Sequence, residues 1–194
     1  MKYSIDLTWN TPPEWTKAVL EDFNSFLQDH ADCERKASAM AMSFVAKCPD
    51  KTEIIDELIE TAMEELDHFR QVYEVMQKRG LGLRKEITQD HYVNALISQC
   101  RSGRDERLMD RMLLASIVEC RGAERFKLVA DALEEGELKQ FYKMLWTSEA
   151  KHGNIFVRMA LKYWDEKSVY KRLNELMKIE GEICSKLPNR PALH

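Results

Sequence analysis

The chain has 194 residues, 44% of them hydrophobic and 32% charged, and a formal net charge of −4. It contains only seven glycines and five prolines, which favours helices over a β-sandwich or barrel and excludes collagen and low-complexity sequence. The apolar runs are shorter than the roughly 20 residues of a membrane span. The first residues lack the apolar stretch of a signal peptide. We therefore expect no membrane association and a cytoplasmic location.

Helical periodicity covers most of the chain, and strand alternation with hairpin turns is not found. Proline and glycine bound the helical segments. The predicted helices run from Thr11 to Lys47 with a break near Asn24, from Asp50 to Arg79, from Gln89 to Arg101, from Glu106 to Glu135, from Glu137 to Trp164 and from Ser168 to Lys186. Four long segments form two pairs with tight connections. This outline predicts an all-α fold, an antiparallel four-helix bundle with additional short helices.

The organisation predicted along the chain is one domain over residues 1–194, with an N-terminal arm (1–13) and a C-terminal tail (187–194). Two polar residues are predicted as helix caps. Thr11 is followed by two prolines and Glu14, which is the form of a capping box with proline in the first turn. Asp50 follows Pro49 and is predicted to cap the second helix. Five widely spaced cysteines without a Cys-x-x-Cys pair make a disulfide framework, a zinc site and a rubredoxin-type site unexpected.

Each long helix carries an apolar stripe that contains a carboxylate. On the first, second and fourth long helices these residues are Glu34, Glu65 and Glu149. On the third helix, the stripe through Glu119 stays apolar, whereas the competing stripe through Glu124 becomes polar toward its C-terminal end, so Glu119 is preferred. Burying carboxylates without a counter-charge costs several kcal/mol each. We therefore expect these four to be protonated or to bind cations.

The same carboxylates recur at matched positions in the two halves of the chain. Glu-x-x-His occurs at Glu65 to His68 and at Glu149 to His152, and residues three apart lie on one helical face. The two halves repeat with an offset of 84 to 85 residues. The alternative is a set of solvated faces and ordinary core histidines. Two divalent ions would balance four carboxylates, and oxygen-rich ligation with one imidazole per metal suits iron or manganese better than zinc.

Four segments resemble the bacterial tRNA isopentenyladenosine hydroxylases of the MiaE type, which are ferritin-like di-iron proteins. They are Asp29 to Ala37, Glu64 to Phe69, Ile117 to Phe126 and Ser148 to His152. The resemblance implies O2-dependent hydroxylation of the isopentenyl group on 2-methylthio-N6-isopentenyladenosine beside the anticodon. It also implies that two iron ions are held by Glu34, Glu65, His68, Glu119, Glu149 and His152. It implies no catalytic residue beyond these ligands, and Glu124 lies beside the ligands or replaces Glu119.

The resemblance further implies a tRNA anticodon stem-loop as substrate and an external ferredoxin or flavoprotein reductase, because the sequence has no flavin fingerprint or cysteine cluster. Candidate phosphate-binding cations are Lys78, Arg79, Arg84, Lys85, Arg101, Arg104, Arg107 and Arg111. A solvated helical face explains these cations equally well. Two other functions stay open, a non-enzymatic iron-binding protein and a rubrerythrin-like peroxidase. The oligomeric state, a dimer included, is also left open.

Overall fold

The computed structural model describes residues 5–86 and 89–194. All regular secondary structure in these residues is helical. The α-helices are α1 (Pro13–Glu21), α2 (Phe23–Lys47), α3 (Ile55–Lys78), α4 (His91–Ile97), α5 (Arg104–Ala132), α6 (Glu137–His152), α7 (Ile155–Leu161) and α8 (Glu166–Cys184). Nowhere in the described ranges does a helix combine the length and the apolar composition that a membrane crossing requires.

The chain divides into two compact units. The α2–α3 unit comprises Lys17–Gln89 and Arg190–Leu193. The α4–α8 unit comprises Met1–Thr16, Asp90–Asn189 and His194. Each unit is built from long helices whose inward faces are apolar, as the stripes in the sequence predict.

In the α2–α3 unit, α2 packs against α3, and the Ser38 hydroxyl on α2 donates to the carbonyl of Ala62 on α3 at 2.8 Å. The break predicted near Asn24 falls at Asp22, whose side chain accepts from the Ser25 N–H and caps α2. The prediction that Asp50 caps the next helix is wrong. A 3-10 turn over Thr52–Ile54 comes first, and Ile54 is the N-cap of α3.

In the α4–α8 unit, α5 packs against α6, α7 and α8. The single helix predicted from Glu137 to Trp164 is wrong, because α6 ends at His152 and α7 begins at Ile155. A hydroxyl from α5 takes part in this break, since Ser116 Oγ accepts the Val157 N–H at 3.1 Å. The first N–H groups of a helix have no partner within that helix. Ser116 therefore stabilises the start of α7.

A buried ionic network lies at the centre of the α4–α8 unit. The fully buried Arg121 donates to both carboxylate oxygens of Glu180, at 2.7 and 2.9 Å. It also donates to Glu124 at 2.7 Å and to the Trp9 carbonyl at 2.9 Å. Burial lowers the pKa of Arg121, but the hydrogen bonds that it donates to Glu180 and the negative charges nearby together outweigh this effect, so the net shift is upward. The guanidinium therefore stays charged and connects the N-terminal arm to α5 and α8.

The C-terminal residue of the chain is buried in the same unit. The His194 ring stacks on Tyr92 with 5.0 Å between the ring centroids, and the Tyr92 hydroxyl donates to Glu180 at 3.1 Å. Burial lowers the pKa of the His194 imidazole to about 4. The ring is therefore neutral in the folded protein at pH 7.

We expect Arg121→Met to lower the free energy of unfolding by about 3–5 kcal/mol, because the variant leaves Glu180 buried without its guanidinium partner. The double variant Arg121→Met/Glu180→Leu should lose less, since it buries no unpaired charge at this position. Urea denaturation followed by far-UV circular dichroism measures both losses. A double variant that is less stable than Arg121→Met would contradict this assignment.

The buried His194 predicts that stability falls in mild acid. The unfolded imidazole gains a proton near pH 6.5, but the folded one gains it only near pH 4, so stability is retained above pH 6.5 and is lost as the pH falls toward 4. Between pH 7 and pH 5 this loss amounts to about 2 kcal/mol. His194→Phe keeps an aromatic ring at this position but removes the imidazole that titrates. Unfolding at both pH values should show the wild type losing more stability than the variant, and equal losses would refute the effect.

Candidate metal centre

The α2–α3 unit contains a buried cluster that we name the α2–α3 triad, formed by Glu34, Glu65 and His68. Each is at most 5% exposed, and one potential ligand atom from each lies within 4.8 Å of the others. The His68 Nδ1 atom is 3.4 Å from Glu65 Oε2 and 3.9 Å from Glu34 Oε2. The spacing of three residues on α3 places Glu65 and His68 side by side, facing Glu34 on α2.

His30 supports this triad from one turn earlier on α2. Its Nε2 atom lies 2.6 Å from Glu34 Oε1, and its ring is fully buried. A histidine that hydrogen-bonds a ligand carboxylate fixes the orientation of that carboxylate. The side chain of His30 therefore positions Glu34 within the triad.

The α4–α8 unit contains a matching cluster, the α5–α6 triad, formed by Glu119, Glu149 and His152. These residues are 7%, 2% and 2% exposed, and their potential ligand atoms also lie within 4.8 Å of one another. The His152 Nδ1 atom is 3.3 Å from Glu149 Oε2. Each half of the chain thus builds the same donor set, two carboxylates and one imidazole, on a pair of neighbouring helices.

Glu124, the alternative to Glu119, lies in the buried ionic network instead. Its carboxylate accepts from the Thr11 N–H and the Thr11 hydroxyl, both at 2.7 Å, and from Arg121 at 2.7 Å. The Thr11 hydroxyl, predicted as a helix cap, thus donates to α5. The structure brings Glu119 together with the other predicted residues of its half and places Glu124 among structural hydrogen bonds.

The donor sets fit a metal ion. In each triad the imidazole nitrogen faces a carboxylate oxygen at 3.3 to 3.4 Å, which is longer than a charge-assisted hydrogen bond of about 2.7–2.9 Å. Ligand atoms bound at about 2.0–2.2 Å to one ion are separated by comparable distances. Two carboxylates also balance one divalent charge. Each triad can therefore hold a metal ion.

The break after His152 depends on contacts that the sequence patterns did not reveal. A Cβ atom at Gly153 would overlap the Sγ atom of Cys120, so the absence of a side chain lets α5 approach closely at this position. Cys120 follows Glu119, and Gly153 follows His152. The close approach therefore keeps Glu119 on α5 near His152 on α6.

Comparisons with known proteins show which family the chain resembles. A family model described as tRNA-(MS[2]IO[6]A)-hydroxylase (MiaE) matches residues 3–194. A tRNA 2-(methylsulfanyl)-N(6)-isopentenyladenosine(37) hydroxylase of Pseudomonas putida KT2440 is 33% identical over 173 residues, which cover 89% of this chain and 83% of the relative. The enzyme of the same description from Salmonella typhimurium LT2 is 35% identical over 108 residues, 56% of this chain and 39% of that relative.

A solved structure supports the fold. A protein with aldehyde deformylating oxygenase activity from Synechococcus superposes with a TM-score of 0.89 at 29% identity, covering 95% of this chain and 92% of that one. The predicted all-α, ferritin-like fold is confirmed. The resemblance drawn from the four sequence segments is confirmed as well.

We expect Gly153→Ala to destabilise the protein by about 1–3 kcal/mol, because the new methyl group overlaps Cys120 Sγ in a packed region. Adding Cys120→Ala removes the sulfur atom and should restore most of the loss. Gly122→Ala is a matched control on α5, since a Cβ there meets no atom within 4 Å. Thermal unfolding of the wild type, these three variants and Cys120→Ala alone tests the contact. Equal effects of Gly153→Ala with and without Cys120→Ala would show that this contact does not matter.

Proposed function

Because the chain belongs to the tRNA-(MS[2]IO[6]A)-hydroxylase (MiaE) family, we propose that it is an O2-dependent di-iron monooxygenase. Its proposed substrate is the isopentenyl group of 2-methylthio-N6-isopentenyladenosine beside the anticodon of tRNA. The observation that carries this proposal is the repeated buried donor set, two carboxylates and one imidazole in each half of the chain. A tRNA substrate would also place the protein in the cytoplasm.

The two triads would hold the two iron ions. Glu34, Glu65 and His68 would be the protein ligands in one half, and the α5–α6 triad would provide the equivalent ligands in the other. Oxygen-rich ligation with a single imidazole suits iron. Bound in the reduced state, the two ions would supply the electrons that activate O2 for insertion of one oxygen atom into a C–H bond.

The chain's own residues would orient the ligands and keep water away. His30 hydrogen-bonds Glu34 and would hold it in one rotamer. Phe156, one turn after His152, and Phe126, two turns after Glu119, are each at most 1% exposed. Apolar side chains at these positions would protect a reactive oxidant from bulk water. We also propose that electrons come from an external ferredoxin or flavoprotein reductase.

A single-turnover reaction tests the function. Chemically reduced, iron-loaded protein is mixed with O2 and an anticodon stem-loop that carries the isopentenyladenosine, and the nucleosides are analysed by mass spectrometry. We expect one oxygen atom to be added to the isopentenyl group, and Glu65→Ala should abolish the addition. Iron-loaded protein that oxidises iron without modifying the RNA, or that turns over an aldehyde instead, would contradict the proposal.

The ligand assignment on α5 has its own test. We expect Glu119→Gln to reduce bound iron from about two ions per chain to about one, because a ligand carboxylate is lost. Glu124→Gln should keep both ions and lower the thermal stability, since its carboxylate accepts from Arg121 and Thr11. Metal analysis of the reconstituted proteins measures the stoichiometry. Loss of iron in Glu124→Gln with full binding in Glu119→Gln would reverse the assignment.

A further inference from the structure

Beyond Glu137, the exposed first residue of α6, the exposed side of α6 and α7 carries basic side chains and no acidic ones. Over residues 138–164 the sequence contains one carboxylate, Glu149, which is buried in the α5–α6 triad. Four cations lie on α6, on α7 or at the C-cap of α7, and we name them the α6–α7 basic face: Lys143, Lys151, Arg158 and Lys162. The last three are exposed and Lys143 is half-exposed. Lys139, in the first turn of α6, is engaged by Glu135 at 3.0 Å and is not included.

The spacing of these cations forms two pairs. Lys143 and Lys151 lie about two helical turns apart on α6, and Arg158 on α7 lies about one turn before Lys162, the C-cap of that helix. Residues separated by about one turn lie on the same side of a helix. At a rise of 1.5 Å per residue, each pair spans about 6–12 Å along its helix. Cations spaced in this way match the extended charge of a nucleic-acid backbone better than a single compact anion.

The other Glu-x-x-His helix has the opposite charge on its outer side. The exposed and half-exposed acids of α3 are Asp56, Glu57, Glu60, Glu64, Asp67 and Glu74. Arg70 on the same helix forms ion pairs with two of them, Asp67 and Glu74, and the distance to Glu74 is 2.8 Å. An acidic surface repels phosphates, so α3 is not suited to bind RNA.

Several cations that the sequence suggested for phosphate binding are engaged elsewhere. Arg84 donates to the buried Asp29 at 3.1 Å and to the Ser25 carbonyl at 2.9 Å. Arg101 donates to the fully buried Asp110 at 2.6 Å. Both guanidinium groups therefore balance buried carboxylates within their own units.

We propose that the α6–α7 basic face binds the phosphates of the tRNA anticodon stem-loop. This inference rests on the proposed function and names the surface that the substrate uses. Contacts to phosphates fix the position of a nucleic acid without reading its sequence. Lys151 adjoins His152, so a strand held on this face lies along the helix that carries two residues of the α5–α6 triad.

The test compares two variants that each lose three positive charges. In the basic-face variant, Lys143, Arg158 and Lys162 are each changed to Gln, while Lys151 is kept because it adjoins a triad residue. In the matched control, three exposed lysines of α8 are changed to Gln: Lys167, Lys171 and Lys178. Both variants have the same net charge, so any difference in RNA binding comes from the position of the charges.

Binding of a fluorescent stem-loop to iron-loaded protein is measured by anisotropy over a series of salt concentrations. We expect the basic-face variant to bind about 10-fold or more weakly near 0.1 M salt, and the slope of log K against log salt to fall by about 2, because three phosphate contacts are lost. The α8 control should stay within about 2-fold of the wild type. Equal weakening of both variants, or of neither, would overturn the proposed surface.

The same samples separate this inference from the proposed function. Wild-type protein that hydroxylates the RNA while both variants bind alike would overturn the surface and leave the function. Wild-type protein that binds the RNA through the basic face but adds no oxygen would support the surface and overturn the function. Wild-type protein that neither binds nor hydroxylates the stem-loop would overturn both.

Discussion

Burying carboxylates away from water costs several kcal/mol each unless a partner compensates the charge, and the described part of this chain buries seven of them. Three have arginine partners: Asp29 accepts from Arg84, Asp110 from Arg101 and Arg172, and Glu180 from Arg121. The other four are the glutamates of the two triads. Each of these glutamates has a histidine nearby, either three residues later on the same helix or on the neighbouring helix. Two carboxylates and one imidazole together form a donor set for a divalent ion.

One short stretch of α5 connects these features. Ser116 accepts the N–H of Val157 and stabilises the start of α7, and Glu119 belongs to the α5–α6 triad. Cys120 fills the space left by Gly153, and Arg121 holds the N-terminal arm and α8. These residues lie within two turns of α5. They contact the break after His152, contribute one residue to the triad and hold neighbouring segments in place. A small displacement of this stretch would affect the triad and the stability together.

Local sequence signals predicted most of the helices because their ends depend on neighbouring residues. Pro49 follows Cys48, the C-cap of α2, and Gly80 adopts a positive φ of 69° just after α3. The apolar stripes also identified the triad residues, and they favoured Glu119 over Glu124 because the stripe through Glu124 becomes polar. In the structure, Glu124 contacts Arg121 and Thr11 instead of the triad.

The features that were not predicted depend on distant residues. A glycine inside a helix costs only about 1 kcal/mol relative to alanine, so Gly153 alone does not indicate a break; α5 contributes the contacts around it. The sequence suggests Arg84 as a phosphate-binding cation. In the structure it donates to the buried Asp29, which lies 55 residues earlier in the chain. Single-residue properties cannot reveal such pairs. They also cannot reveal which cations stay exposed, because the packing of the helices decides it.

We propose that each triad holds one iron ion. Anomalous diffraction at the iron absorption edge from crystals of the iron-loaded protein would locate the iron. We expect two anomalous peaks per chain, one within coordination distance of Glu34, Glu65 and His68 and one within coordination distance of Glu119, Glu149 and His152. Iron-loaded crystals with peaks away from these side chains, or with one triad free of iron, would contradict it.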